Sequence, residues 1–251
     1  MKDLNFYNEE MSKSLADKAF FTNHIDVKHL VDYGCADGRL GEFLIKVKAN
    51  DFKYSGFDIS LEMLESSRKR NPDLPVFNKF ENLVAEVGTK ETTLVANSVL
   101  HEMFSEGVES EFFNHANLLR PKYIAIRDMF LLEEIKRTES NGSDVAAIHQ
   151  YLPPNMIEDY QDYVGSMKTY KYLIQLIFKA RFRSNWKTEL SDDYFAINRA
   201  TVFFILDLLG YDTIYQEDYT LPFLKNHAMD TYGINIRNNT HFKYVGRLRG
   251  E

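Results

Sequence analysis

Apolar residues follow two different periods along the first half of the chain, and the two take turns. "KHLVDYG" is a short apolar run that stops at Gly34, the pattern of a buried strand. "GRLGEFLIKVK" then spaces Leu40, Phe43, Leu44 and Val47 at helical intervals. "KYSGFDI" predicts a second strand. Ser60 stands where it can cap the helix of "LEMLESSRKR", whose basic last turn suits the helix dipole. "LPVF" predicts a third strand and the β-branched "TTLVANSVL" a fourth. The helix of "EFFNHANLLR" must stop before Pro121, and "KYIAIRDM" predicts a fifth strand. "SKSLADKAFF" predicts an amphipathic helix ahead of them all. This alternation is the signature of a parallel α/β sheet covered by helices on both faces.

After Met129 the alternation ends. Phe130 to Trp186 reads mostly helical, with a break at the two prolines of "YLPPN". Ser191 is placed to cap a long helix, "DDYFAINRATVFFILDLL", closed by Gly210. "DTIYQEDY" and "THFKYVGRLR" predict two last strands. The expected fold is therefore α/β, with about seven strands and a helical insertion after the fifth. Residues 1–129 would form the first part of a ligand-binding core, 130–190 an inserted helical lid, and 191–251 the completion of the sheet.

Composition narrows the function classes. The chain has 251 residues, 44% of them hydrophobic, enough for one sizeable domain. No stretch approaches the roughly 20 apolar residues that span a bilayer, and the acidic, polar start is not a secretory signal. The single cysteine, Cys35, allows no disulfide framework, which fits a reducing compartment such as the cytoplasm. The net charge of −7 disfavours a surface devoted to nucleic acid. The charge is uneven, however. From Ser166 onward 12 Lys/Arg face 9 Asp/Glu, which leaves 18 against 28 before it.

"VDYGCADGRLGEF", Val31 to Phe43, gathers three glycines and the cysteine where a strand meets a helix, the place at which open α/β sheets bind ligands. A phosphate-binding loop would need Gly-Lys-Ser/Thr, which is absent. A dinucleotide fingerprint aligned on Gly34 meets Ala36 and Arg39 where it wants glycines. Asp32 and Asp37 would also repel a diphosphate, and both would suit a cationic ligand.

The stretch resembles the first motif of class I S-adenosylmethionine-dependent methyltransferases, with Asp32, Gly34 and Gly38 at the matching positions and Ala36 where the family often has glycine. The resemblance extends over roughly Val27 to Met129. It implies a Rossmann-like methyltransferase sheet that binds S-adenosylmethionine. Asp32, Gly34, Cys35, Ala36 and Gly38 would hold the cofactor at the turn. Asp58, with Ile59 beside it, would take the ribose hydroxyls, since a carboxylate can accept from a vicinal diol. Glu81 or Asn82 would read the adenine, and Asn97 at the end of the fourth strand would lie near the methyl group. The resemblance names no acceptor.

Methyl transfer needs a positioned acceptor and, for many acceptors, a base. His101 and Glu102, just past the fourth strand, are the candidates for base and partner, with Ser98 facing the same opening. Arg127 and Asp128 end the fifth strand, where they can orient a substrate anion or amine, or form an exposed pair worth little. Cys35 has acids nearby and no adjacent base, so it reads as a small packed residue rather than a nucleophile. The seven histidines show no metal-ligand spacing, and no metal is expected. "YKYLIQLIFKARFRSNWK" interleaves aromatics with Lys171, Lys179, Arg181, Arg183 and Lys187, just after Lys168. That pattern suits RNA or a nucleotide, but the preferred reading is an ordinary amphipathic helix with Leu173, Leu176 and Ile177 inward and a solvated basic face. His227, Asp230 and His241 fall in a loop-like stretch that could cover the acceptor. The expected function is methyl transfer to oxygen or nitrogen, with a small-molecule acceptor preferred over RNA. A nicotinamide-dependent oxidoreductase and a non-catalytic nucleotide-binding protein are the alternatives.

Overall fold

The computed structural model describes residues 14–27, 29–47, 52–88 and 90–250. One seven-stranded sheet runs through it in the order β3-β2-β1-β4-β5-β7-β6. The strands are β1 (His29–Tyr33), β2 (Lys53–Phe57), β3 (Val76–Phe77), β4 (Lys90–Asn97), β5 (Pro121–Met129), β6 (Tyr211–Tyr219) and β7 (His241–Leu248). β1 to β5 are parallel, and β7 inserts antiparallel between β5 and β6. The order reverses at β1, whose neighbours β2 and β4 diverge to either side, and that switch point fixes where a ligand enters.

The helices follow the apolar periods. The first are α1 (Leu15–Lys18), α2 (Arg39–Val47), α3 (Leu61–Arg70), α4 (Phe80–Val87), α5 (Leu100–Glu106) and α6 (Glu109–Leu119). Ser60 caps α3 by accepting from the Met63 N–H at 3.3 Å. Leu40 and Leu44 of α2 are buried, while Val47 at its end stays exposed. The described part of "SKSLADKAFF" is shorter than expected, one turn of α1 followed by a 3₁₀ turn from Phe20 to Asn23.

Between β5 and β6 lie α7 (Glu133–Lys136), α8 (Gly142–Tyr151), α9 (Pro154–Tyr163), α10 (Tyr170–Lys179), α11 (Trp186–Ser191) and α12 (Arg199–Leu208). The helices from α8 to α11 share a second apolar core with α13 (Pro222–Tyr232), separate from the core that packs α4 to α6 against the sheet. Two expectations fail here. The long helix does not start at Ser191; Asp193 accepts from the Phe195 N–H at 3.1 Å, and Asn198 caps α12 through the Thr201 N–H at 3.2 Å. Such side-chain bonds to backbone compete with a helix. Nor is the stretch around His227 and Asp230 a loop, because both lie on α13.

Candidate functional site

At the C-terminal ends of β1, β2 and β4 the glycine turn borders a cavity of about 420 Å³. Gly34 has φ +73°, and a Cβ there would stand 2.6 Å from a Val99 methyl. Its glycine is therefore required first by backbone and packing. Ala36 is held left-handed at φ 47° although it is not glycine. Its N–H donates to Asp58 Oδ2 at 2.7 Å, and the Ser60 N–H donates to Oδ1 at 2.8 Å. Asp58 is thereby aimed along the cavity wall, with lone pairs left on both oxygens. Burial raises its pKa, against the pull of those two N–H groups.

Asp32 is buried on β1 and accepts from the Tyr54 hydroxyl at 2.8 Å. Burial pushes its pKa up to about 7, against the opposing effects of Tyr54 and Lys18. Lys18, on α1, lines the same cavity, and burial brings it down to about 8. Six carboxylates besides Asp37 border this space, those of Asp32, Asp58, Glu62, Glu102, Glu106 and Glu111. Asp37 is a correction to the charge reading. It pairs with Arg39 at 2.9 Å and Arg70 at 2.6 Å, so its charge is met within the protein. The other acids still disfavour a diphosphate and favour a cation.

Among the other expected residues, Gly34, Cys35, Ala36, Ile59 and Asn97 also line this cavity, whereas Gly38 supports it from behind, its φ of +76° setting the turn. Glu81 and Asn82 do not reach it; both are exposed on α4, whose inward residues are Phe80 and Leu83. Cys35 is buried, and burial with Asp32 and Asp58 nearby raises its thiol well above the usual range, which suits a packed residue. Lys18 and Met63 line the cavity without having been anticipated. Asn97 is buried, and neither its amide oxygen nor its nitrogen has a hydrogen-bond partner among the described residues. Buried amides are seldom left so.

A second cavity, of about 240 Å³, adjoins the first, and Ser98, Glu102 and Glu106 border both. Its polar centre is His101, on α5. Asp128 at the end of β5 organises it: Oδ1 lies 2.6 Å from His101 Nδ1, and Oδ2 accepts from the N–H groups of Val99 and Leu100 at 3.1 and 2.8 Å. One carboxylate thus fixes the start of the helix and the orientation of the imidazole. His101 Nε2 faces Asp192 Oδ2 at 3.5 Å. Burial would depress the imidazole pKa, but Asp128 and Asp192 more than reverse this and hold it well above the usual value. Ser98 is also held left-handed, at φ 58°, and backbone strain of this kind gathers at functional sites.

The opposite wall comes from the helical region. Phe178, Phe182 and Phe223 supply apolar surface, and Tyr194 meets the His101 ring edge-on at 5.7 Å. Lys179 corrects the reading of α10 as a solvated basic face: it is fully buried, donates to the backbone oxygen of Asp192 at 2.5 Å, and lies 4.0 Å from the Tyr194 ring centre. Lys171 pairs with Asp193 at 2.6 Å, and Arg181 covers the Phe223 ring at 4.9 Å. Only Lys168, Arg183 and Lys187 of the six cations are exposed. His101, Glu102 and Asp192 bring one donor atom each to within 4.8 Å of one another, a set that could hold a metal ion and that sequence spacing did not reveal. Asp192 also has His101 and Lys179 as basic neighbours. His241, at the start of β7, lines the cavity, whereas His227 and Asp230 do not.

No protein-family model and no curated protein matches the chain. Solved structures do. The methyltransferase domain of bacterial CtHen1 superposes with a TM-score of 0.52 at 14% identity, over 93% of this chain and 97% of that one. The plantazolicin methyltransferase BpumL, in complex with a triazolic desmethylPZN analog and SAH, gives 0.53 at 14% identity, over 98% and 89%. The cyclopropane synthase MmaA2 from Mycobacterium tuberculosis gives 0.53 at 11% identity, over 93% and 83%. The chain therefore has the Rossmann-like fold of the class I S-adenosylmethionine-dependent methyltransferases.

Proposed function

We propose that the protein transfers a methyl group from S-adenosylmethionine to an oxygen or nitrogen of a small-molecule acceptor. The observation that carries this reading is the pair of adjoining cavities, one acid-lined beside the glycine turn and one centred on the His101–Asp128 pair, joined at Ser98. The first fits the cofactor: Asp58 has acceptor capacity for a vicinal diol, Asn97 has an unmet amide, and the surrounding carboxylates suit a cation. When bound, the cofactor supplies an electrophilic methyl on a sulfonium. Asp58 would hold the ribose. Asp32, Lys18 and Asn97 would hold the methionine end, Asp32 toward its ammonium and Lys18 toward its carboxylate.

His101 would take the acceptor's proton at Nε2 while Asp128 holds Nδ1. In the structure Nε2 faces Asp192, so an acceptor hydroxyl or amine must displace that carboxylate, and base catalysis requires the neutral imidazole. Raising the pH should therefore raise the rate.

The nicotinamide alternative is disfavoured because the carboxylates around the turn would repel a diphosphate. RNA is disfavoured by the burial or pairing of Lys171, Lys179 and Arg181. The lone buried Cys35 suits a reducing compartment, and we place the protein in the cytoplasm on that ground. No helix among the described residues is long and apolar enough to cross a membrane.

The test is calorimetry with S-adenosylhomocysteine and NAD, followed by transfer of labelled methyl from S-adenosylmethionine to a panel of small hydroxy and amino compounds. Binding of S-adenosylhomocysteine but not NAD, with label transferred, supports the reading. Binding of NAD alone would overturn it. Cofactor binding with no transfer to any acceptor class would favour a non-catalytic protein.

A further inference from the structure

Arg127 is 2% exposed, and two of its three guanidinium nitrogens are accounted for. Nε donates to Asp17 Oδ2 at 2.9 Å and to the Tyr219 hydroxyl at 3.0 Å, and Nη1 donates to Ser98 Oγ at 2.7 Å. Nη2 is buried and has no partner among the described residues. An unmet donor on a buried charged group is costly and rare, and Arg127 borders the His101 cavity. Its ionic partner is not its own. Asp17 is shared with Lys243 at 2.8 Å, whose other carboxylate, Glu217, is more distant at 3.3 Å and more exposed. Ser98, between the two cavities, accepts from Arg127 and keeps its own O–H as a donor. The Ser98 N–H also donates to the Arg127 backbone oxygen at 2.8 Å, so the pair is held together at both ends.

We propose that Arg127 Nη2 and the Ser98 hydroxyl form a seat for a carboxylate carried by the methyl acceptor. This rests on the methyltransferase reading above. The remaining walls complete the description of that acceptor. Phe178, Phe182 and Phe223 suit an aromatic or aliphatic body. Glu102 and Asp192 beside His101 would repel an acid, so the reacting hydroxyl or amine goes there and the carboxylate goes to Arg127. The acceptor class is thus a small hydroxy- or amino-carboxylic acid, bound at two points.

The experiment titrates matched probes into the ligand-free protein by calorimetry: benzoate against benzamide, 4-hydroxybenzoate against 4-hydroxybenzamide, and inorganic phosphate. The carboxylates should bind saturably, and about tenfold or more tighter than their amides, the advantage of a charge-assisted hydrogen bond. Arg127→Lys keeps the charge but loses the planar fork, and should lose most of that preference while keeping wild-type affinity for S-adenosylhomocysteine. Should Arg127→Lys fail to fold, Ser98→Ala replaces it, with a smaller loss of the same sign. Equal binding of acids and amides, no saturable binding of any carboxylate, or phosphate alone binding would overturn the proposal. So would an Arg127→Lys variant whose loss falls on S-adenosylhomocysteine instead. Because the probes are titrated without cofactor, failure to bind S-adenosylhomocysteine would count against the methyltransferase reading and leave the carboxylate result standing.

Discussion

The two cavities touch but are assembled in different ways. The cavity beside the glycine turn draws most of its walls from the ends of β1, β2 and β4 and from the residues that directly follow them. Its key bonds are backbone N–H groups donating to Asp58 and a tyrosine hydroxyl donating to Asp32. The His101 cavity takes Arg127 from β5, Phe178 from α10, Asp192 from beyond α11, Phe223 from α13 and His241 from β7. Its key bonds join side chains far apart in the chain. A site built on strand ends inherits its geometry from the sheet, whereas a site built between helices depends on how those helices pack. Substitutions should therefore separate the two.

The sharpest separation is expected at His101. His101→Ala should lower turnover by about 10²–10⁴-fold with the affinity for S-adenosylhomocysteine unchanged. In the wild type the rate should climb as pH rises through a pKa lying above the ordinary imidazole range, because Asp128 and Asp192 favour the charged form. The mutant should lose that limb. Steady-state rates across pH, beside calorimetry, check both. A variant that lost cofactor affinity as well would join the cavities into one unit.

Asp58 should behave in the opposite way. Asp58→Ala leaves two backbone N–H groups and the bound diol without their acceptor, so S-adenosylhomocysteine should bind more weakly by about 1–3 kcal/mol. Differential scanning calorimetry on the same variant should show a single cooperative transition. Equal affinity in mutant and wild type would remove Asp58 from the site.

The next effect is on pH. A cationic ligand favours ionised Asp32, whose pKa is about 7, so affinity for S-adenosylmethionine should fall as pH drops below that value. Lys18, at about 8, loses its charge as pH rises, and with it a partner for the methionine carboxylate. Affinity should therefore be greatest between about 7 and 8. Asp32→Asn should flatten the acid limb and Lys18→Met the alkaline one; a profile unaltered by either would assign the titration elsewhere.

The smallest effect belongs to the outer face of the helical region. Arg183→Ala and Lys187→Ala should change stability by no more than about 0.5 kcal/mol and leave turnover unaffected. Steep, salt-sensitive RNA binding that these variants abolished would instead restore a nucleic-acid acceptor.

How much of this the sequence carries follows from the same contrast. β1 to β5, α2, α3 and α6 were legible because each announces itself by its own local period, and the Ser60 cap by its position before α3; α4 is not in the sequence reading, and Leu100, read there as the end of the fourth strand, opens α5 instead. The start of α12 was not, because Asp193 and Asn198 divert backbone donors into local bonds that propensity does not register. α13 carried a usable signal, Pro222 at its first position and Gly233 just past its end, which the polar composition obscured. His101 and Asp128 were identifiable as residues at strand ends. Their mutual bond was not, since it joins neighbouring strand ends across the sheet. Lys179 shows the limit most plainly. Its spacing says surface, and Tyr194 with the Glu189 and Asp192 carbonyls, brought round by α11, explains why it is buried.

The sheet order also has a consequence for the protein as it is being made. Among the described residues β6 has no sheet neighbour except β7, and β7 must slot between β6 and the earlier β5. A ribosome-bound chain that has emerged as far as β5 already holds every residue lining the cavity beside the glycine turn, and the parallel strands it needs can pair. β6, once emerged, waits with an unpaired edge until β7 appears, and His241, which lines the His101 cavity, arrives with that strand. Cofactor added to stalled nascent chains should thus protect them from protease before any acceptor analogue can, and the interval between the two is the period in which the exposed strand edge is open to aggregation.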